Sequence, residues 1–282
     1  MPSEALTEYR VTARNTSATS ENRIHDDAVA RQYGFPGALV PGVTIYAYLS
    51  HPLVTSFGRS WLERGTATVR FLKPIMAGEL VVVAGEVTGR TPRAVEATVT
   101  ASTPSGVCAT LAATVPAGLP IPVDLARYPS APLPADRPPA NRQQFDAIEV
   151  LGSPATDYDR ARAAEYLTAI GDDCAIYDGP EGVVHPAFLL TQANRALSGN
   201  VRVGPWVHAA STVRHLGLAR VGDTLTTRGR VRSLYERKGR EYVELELVIV
   251  AGAKRPLAHV LHTAIYRLPA PAADVDSRRS PC

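Results

Sequence analysis

The chain has 282 residues, 45% apolar and 20% charged, with a formal net charge of +3. That length suits two domains, each large enough to bury a core. The mild charge, with no run of basic residues interleaved with aromatics, is far from a nucleic-acid footprint. Cys108, Cys174 and Cys282 are scattered and form no Cys-x-x-Cys pair, so neither a disulfide framework nor a metal site is expected. The N-terminus lacks a basic region followed by an apolar core, and no apolar run approaches the roughly 18 residues of a membrane span. A cytoplasmic protein is the expectation.

In chain order, Tyr9-Arg10-Val11-Thr12-Ala13 alternates like a short leading strand. Residues 26–33 suit a short helix, with Asp26 and Asp27 at its start and Gly34 ending it. A Pro41-Gly42 turn then opens a long helix, with Tyr46, Leu49, Leu53 and Phe57 at helical spacing. Pro52 lies inside this pattern and predicts a kink or break near His51. Strand-like runs follow at 66–71, 80–88, 94–101 and 107–115, separated by Gly- and Pro-rich turn formers. Prolines crowd residues 116–140, which reads as an extended linker over the surface. Beyond it, residues 158–170 predict an amphipathic helix with Ala161, Ala164, Tyr166 and Leu167 among its apolar positions. A loop at 171–182 leads to a second long helix from 186 to about 197. Strands are predicted at 207–213, 224–234, 241–250 and 257–266.

The second half repeats the first at an offset of 144 residues. Thr68-Val69-Arg70-x-Leu72 matches Thr212-Val213-Arg214-x-Leu216, Gly78-Glu79 matches Gly222-Asp223, and Pro41-Gly42 falls on His185-Pro186. So long a period suits a duplicated domain rather than a solenoid. Each half is then one long helix followed by antiparallel strands, an α+β layer, and two such sheets can join edge to edge. The expected division is 1–118, a Pro-rich linker at 119–142, 143–269, and a tail at 270–282.

Two stretches carry a resemblance to a known family: residues 69–80, with a strand, a spacer and a Gly-Glu turn, and Asn22-Arg23-Ile24-His25. They resemble the MaoC-like hydratases and dehydratases of the hotdog fold, and the repeat implies a double hotdog of two tandem domains. The resemblance implies reversible addition of water to a 2-enoyl thioester, or a diverged lyase or isomerase in the same pocket, with no cofactor. It implies His25 as the general acid or base and the Gly42 amide as the donor to the developing oxyanion. Ser20 stands where the family has an aspartate, and it and Asn22 would position groups; Pro41 and Tyr46 would contact substrate. In the second half the aspartate is Asp172, the histidine position holds Tyr177, and the helix opens on His185-Pro186, where proline has no N–H to donate. Neither half therefore has the complete Asp/His dyad in sequence; Asp172 is a catalytic candidate, Tyr177 and His185 substrate contacts. The expected partner is an acyl thioester or related small molecule, with no nucleic acid and no membrane, and the chain could form a homodimer or hetero-oligomer. The rival readings are a non-catalytic acyl-binding subunit of a catalytic partner, or a specialised-metabolism enzyme acting on a non-thioester. His208, His215, His259 and His262 fall in strand-like runs and read as structural; His259 and His262 should face opposite sides of their strand.

Overall fold

A computed structural model describes residues 4–179, 181–252 and 254–269; the expected tail at 270–282 lies outside the described residues. The elements in order are β1 (Glu4–Ala5), β2 (Tyr9–Thr12), α1 (Asp27–Gln32), α2 (Gly42–Arg64), β3 (Thr66–Phe71), β4 (Leu80–Arg90), β5 (Ala94–Thr103) and β6 (Gly106–Pro116). They continue with α3 (Arg142–Asp146), β7 (Ala155–Asp157), α4 (Arg160–Ile170), α5 (Pro186–Asn200), β8 (Val207–His215), β9 (Thr224–Arg237), β10 (Arg240–Ala251) and β11 (Arg255–Arg267). Every strand-like run becomes a strand, because each alternates or stays apolar between turn formers.

The strands form one antiparallel sheet of 11, in the order β1-β4-β5-β6-β3-β8-β11-β10-β9-β7, with β2 also on β4. The inner order is a palindrome in the repeat: β4-β5-β6-β3 faces β8-β11-β10-β9 across one seam. At that seam β3 pairs antiparallel with β8, and Thr68 lies opposite Thr212. Their hydroxyls are 3.2 Å apart, and the two residues are separated by 144 positions, the offset of the repeat. A local twofold axis therefore passes between them.

α2 and α5 pack against each other inside the curve of this sheet. Residues Val43 to Val54 of α2 are almost all buried, as expected of a helix enclosed by sheet on one side and helix on the other. The break expected at Pro52 is not there. The helix runs through Pro52 and departs from helical geometry at Gly58, whose φ of 52° and ψ of −135° belong to a region essentially open only to glycine. The face expected for α4 also shifts: Ala161 and Ala164 are exposed, and Ala163 and Ile170 are the buried positions. The Pro-rich segment crosses the outer face of β10, where Tyr128 packs on Val248 and Val250 and donates its hydroxyl to Glu246 at 2.8 Å.

Candidate active site

The turn at Arg23–His25 is fixed from both ends. Asn22 Oδ1 accepts from the Ile24 and Trp206 amides at 3.4 and 3.1 Å, and Asn22 Nδ2 donates to the Trp206 carbonyl at 3.0 Å. One side chain thus pins the turn to the start of β8. Asp26 then caps α1, accepting from the Ala28 and Val29 amides. Between these anchors His25 is half-buried and donates Nδ1–H to the Leu39 carbonyl at 2.7 Å. That bond fixes the tautomer, leaving the Nε2 lone pair facing Asn22 Nδ2 at 3.3 Å. Burial pushes the His25 pKa below its ordinary value, partly opposed by the Leu39 carbonyl, so the ring is a neutral base near pH 7.

Pro41 caps α2. The first amides bonded back into the helix are those of Thr44 and Ile45, both to the Pro41 carbonyl. The Gly42 and Val43 amides precede that turn and are the free donors of a helix N-terminus, where the dipole favours negative charge. Glycine is required at 42 by close approach: a Cβ there would lie 2.9 Å from His208 Nδ1 and 3.1 Å from Phe71. Asn22, His25, Pro41 and Gly42 line a cavity of about 290 Å³, closed from across the seam by Trp206, His208 and Tyr242. Lys73 and Arg240 also line it, and among the described residues no carboxylate does.

Ser20 is outside this cavity; its hydroxyl points back to the Asn22 carbonyl at 3.4 Å. The adjacent Glu21 is turned away, taking both terminal nitrogens of Arg137 at 2.8 and 3.2 Å. The structure brings together His25, Asn22, Pro41 and Gly42, and separates from them Tyr46, Asp172, Tyr177 and His185. Tyr46 and Tyr177 are fully enclosed, with no hydrogen-bond partner for either hydroxyl among the described residues.

Asp172 belongs to a second cluster. Its Oδ2 accepts Nε2–H from His185 at 3.2 Å and lies 3.4 Å from His51 Nδ1, while Oδ1 accepts from the Cys174 amide. His185 Nδ1 accepts from the Ala187 amide at 3.1 Å, which fixes the proton on Nε2. Burial raises the Asp172 carboxyl, yet His185, His51 and the Cys174 amide overcome it and hold the group well below its ordinary value. Burial drives His185 the other way, so the pair is a carboxylate with a neutral imidazole. Tyr177 fills the space beside it, ring centroids 4.6 Å from His185, and Tyr9 stacks on His51 at 3.9 Å. An Asp–His pair therefore exists in the second half, but its histidine comes from the helix start rather than from position 177. It is packed over by aromatic rings. No group of side chains among the described residues is arranged to hold a metal ion.

No protein-family model and no curated relative matches the sequence. Solved structures do match the fold along nearly the whole chain. A candidate MaoC-domain dehydratase from Chloroflexus aurantiacus superposes with a TM-score of 0.68 at 11% identity, covering 94% of this chain and 95% of its own. A conserved hypothetical protein from Mycobacterium tuberculosis, described as having a double hotdog fold, superposes at 0.63 with 16% identity, covering 92% and 96%. The chain shares the double hotdog fold. A candidate thioesterase from Novosphingobium aromaticivorans shares it too, at 0.54 with 13% identity, covering 95% and 99%. At these identities the likeness is one of fold. In this double hotdog the open cavity lies at the start of the first long helix, and its far wall comes from β8 and β10.

Proposed function

We propose that the chain adds water to, or removes it from, a 2-enoyl thioester bound at the start of α2. The observation that carries this reading is that His25 and Gly42, the first residue of α2, line one cavity, with the Gly42 amide not bonded back into the helix. In the hydration direction His25 Nε2 takes a proton from water as the water oxygen bonds to the β-carbon. Charge moves to the thioester oxygen, which the Gly42 amide stabilises. The enolate then collapses and takes the proton from the His25 imidazolium at its α-carbon. One imidazole thus carries the proton both ways, consistent with a cavity that no carboxylate among the described residues lines. The same frame supports reading the chain as two tandem hotdog units, 1–118 and 143–269, the second closing the cavity of the first.

A second reading is favoured by the same cavity, whose described lining holds His25 and Gly42 but no carboxylate. A base and an oxyanion donor also suffice for hydrolysis if the water is held against the carbonyl carbon instead of the β-carbon. Two assays separate them: loss of the conjugated thioester absorbance of crotonyl-CoA, and release of free thiol from saturated butanoyl-CoA. Hydratase activity is expected, and His25→Ala should lower it at least about 100-fold, the usual contribution of a positioned general base. Thiol release alone would establish the hydrolase. Binding of both thioesters without turnover would leave an acyl-binding subunit, and absence of binding would end both enzymatic readings for thioesters of this length.

A further inference from the structure

The far wall of the cavity holds a second histidine whose placement depends on a backbone irregularity. In an unbroken strand His208 and Ser211, three apart, would face opposite sides of the sheet. In β8 they do not. Ala264 of β11 lies opposite His208 and Thr263 opposite Ala210, so Ala209 is an extra residue and forms a β-bulge. The bulge turns His208 and Ser211 onto the same inner face, 6% and 2% exposed, with His262 directly opposite Ser211 and 0% exposed. A chain of contacts results: His208 Nε2 to Ser211 Oγ at 2.8 Å, and Ser211 Oγ to His262 Nδ1 at 3.1 Å. The outer nitrogens, His208 Nδ1 and His262 Nε2, have no partner among the described residues. The frame itself does not demand the hydroxyl, because the repeat places Ala67 at the position equivalent to Ser211.

This chain can be protonated in two directions, and each leaves one outer nitrogen as a bare N–H and the other as a bare lone pair. An orphaned buried N–H is the costlier of the two. His208 lines the cavity and His262 does not, so of the two outer nitrogens only the enclosed Nδ1 of His208 lies beside the space a bound molecule would fill. The favoured arrangement therefore has His262 Nδ1–H donating to Ser211, Ser211 O–H donating to His208 Nε2, and the His208 proton on Nδ1. That N–H lies against the α2 N-terminus: Nδ1 is 2.9 Å from where a Gly42 Cβ would be. Burial, and after it the neighbouring His262, outweigh the Ala210 backbone, which acts the other way, and hold the His208 pKa well below its ordinary value, so the ring is neutral.

We infer that His208 Nδ1–H is a second oxyanion donor, acting with the Gly42 amide on the carbonyl oxygen of a bound thioester, and that Ser211 and His262 are positioning residues that fix its tautomer. This rests on the thioester reading above. It also gives the second half a part in the chemistry, since the donor is supplied from across the seam.

The test has two arms. Long-range proton–nitrogen NMR of the histidine rings in the full chain, with no ligand, should show His208 neutral and protonated on Nδ1, and Ser211→Ala should remove that tautomer preference. In parallel, the carbonyl stretch of butanoyl-CoA labelled with carbon-13 at its carbonyl should shift to lower frequency on binding. The shift should shrink in His208→Phe and be largely kept in His208→Gln, which retains a donor; thermal melts check that both variants fold. If crotonyl-CoA is turned over, His208→Phe should lower kcat by about 100-fold with KM little changed, as for loss of one oxyanion donor. Absence of turnover with the tautomer and carbonyl shift intact would refute the hydratase reading and leave the inference standing. A proton on Nε2, an unshifted carbonyl, no detectable thioester binding, or a shift unaffected by His208→Phe would overturn it.

Discussion

Asp172 shows how two identical side chains, His185 and His51, can enclose one carboxylate without making an open site. The carboxylate is ionised because His185, His51 and the Cys174 amide outweigh the cost of its burial. Removing it would strand the His185 Nε2–H in a wholly enclosed position. Asp172→Ala is therefore expected to destabilise the fold by about 2 kcal/mol, the scale of a hydrogen bond to a charged group. Asp172→Asn, which keeps an acceptor for His185, should cost clearly less. Urea denaturation of the two variants checks the order. If either abolished turnover of crotonyl-CoA while leaving stability unchanged, the cluster would be part of the chemistry after all. At this scale the sequence pointed to Asp172 and His185 separately. It did not pair them, because the loop between them folds back through a turn at Ala175–Tyr177 that residue spacing alone does not reveal.

Among the elements, α2 and β8 each depart from regular geometry at one place. Proline is the usual suspect for a helix break, yet α2 passes Pro52 and breaks at Gly58. An alanine forced into the Gly58 conformation would be strained, so Gly58→Ala should lower stability by roughly 1–3 kcal/mol. Pro52→Ala should leave stability unchanged or raise it. Paired thermal melts decide the point: the opposite ranking would return the break to Pro52. In β8 the bulge at Ala209 is invisible to a reading by alternation, which assigns His208 and Ser211 to opposite faces. By contrast, His259 and His262 do fall on opposite sides: His262 is enclosed while His259 meets Glu246 at 3.2 Å on the outer face.

Across the whole molecule, the folded state holds His25, His185, His208, His215 and His262 neutral. Their pKa values are all lowered, His215 to about 4 and His262 to about 3, with burial the largest cause in each case. In the unfolded chain these groups titrate near the ordinary value of about 6.5. Below that pH the unfolded state binds more protons than the native one, so stability is full above about pH 6.5 and is lost as pH falls. Denaturant midpoints measured at about pH 7.5 and about pH 5 should fall steeply between the two. His215 has no hydrogen-bond partner on either ring nitrogen among the described residues. His215→Leu should flatten the profile, recovering about 3 kcal/mol of the loss by about pH 4, on the basis of 1.36 kcal/mol for each pKa unit. An unchanged slope would show that His215 does not titrate as described.

The strand pattern, the two long helices and the repeat were legible in the sequence because each depends on neighbours a few residues apart. The 144-residue offset did not say which edges join; the structure puts one of its equated pairs, Thr68 and Thr212, on the twofold axis. His25, Asn22 and Gly42 could be read because a short motif and a helix start carry them. What only the tertiary structure decided was which side chains share a space. One inserted residue at Ala209 re-aimed a histidine into the cavity, and one looped return gave Asp172 its partner at the start of α5. Both are consequences of where the backbone goes over long separations, and no local periodicity encodes that.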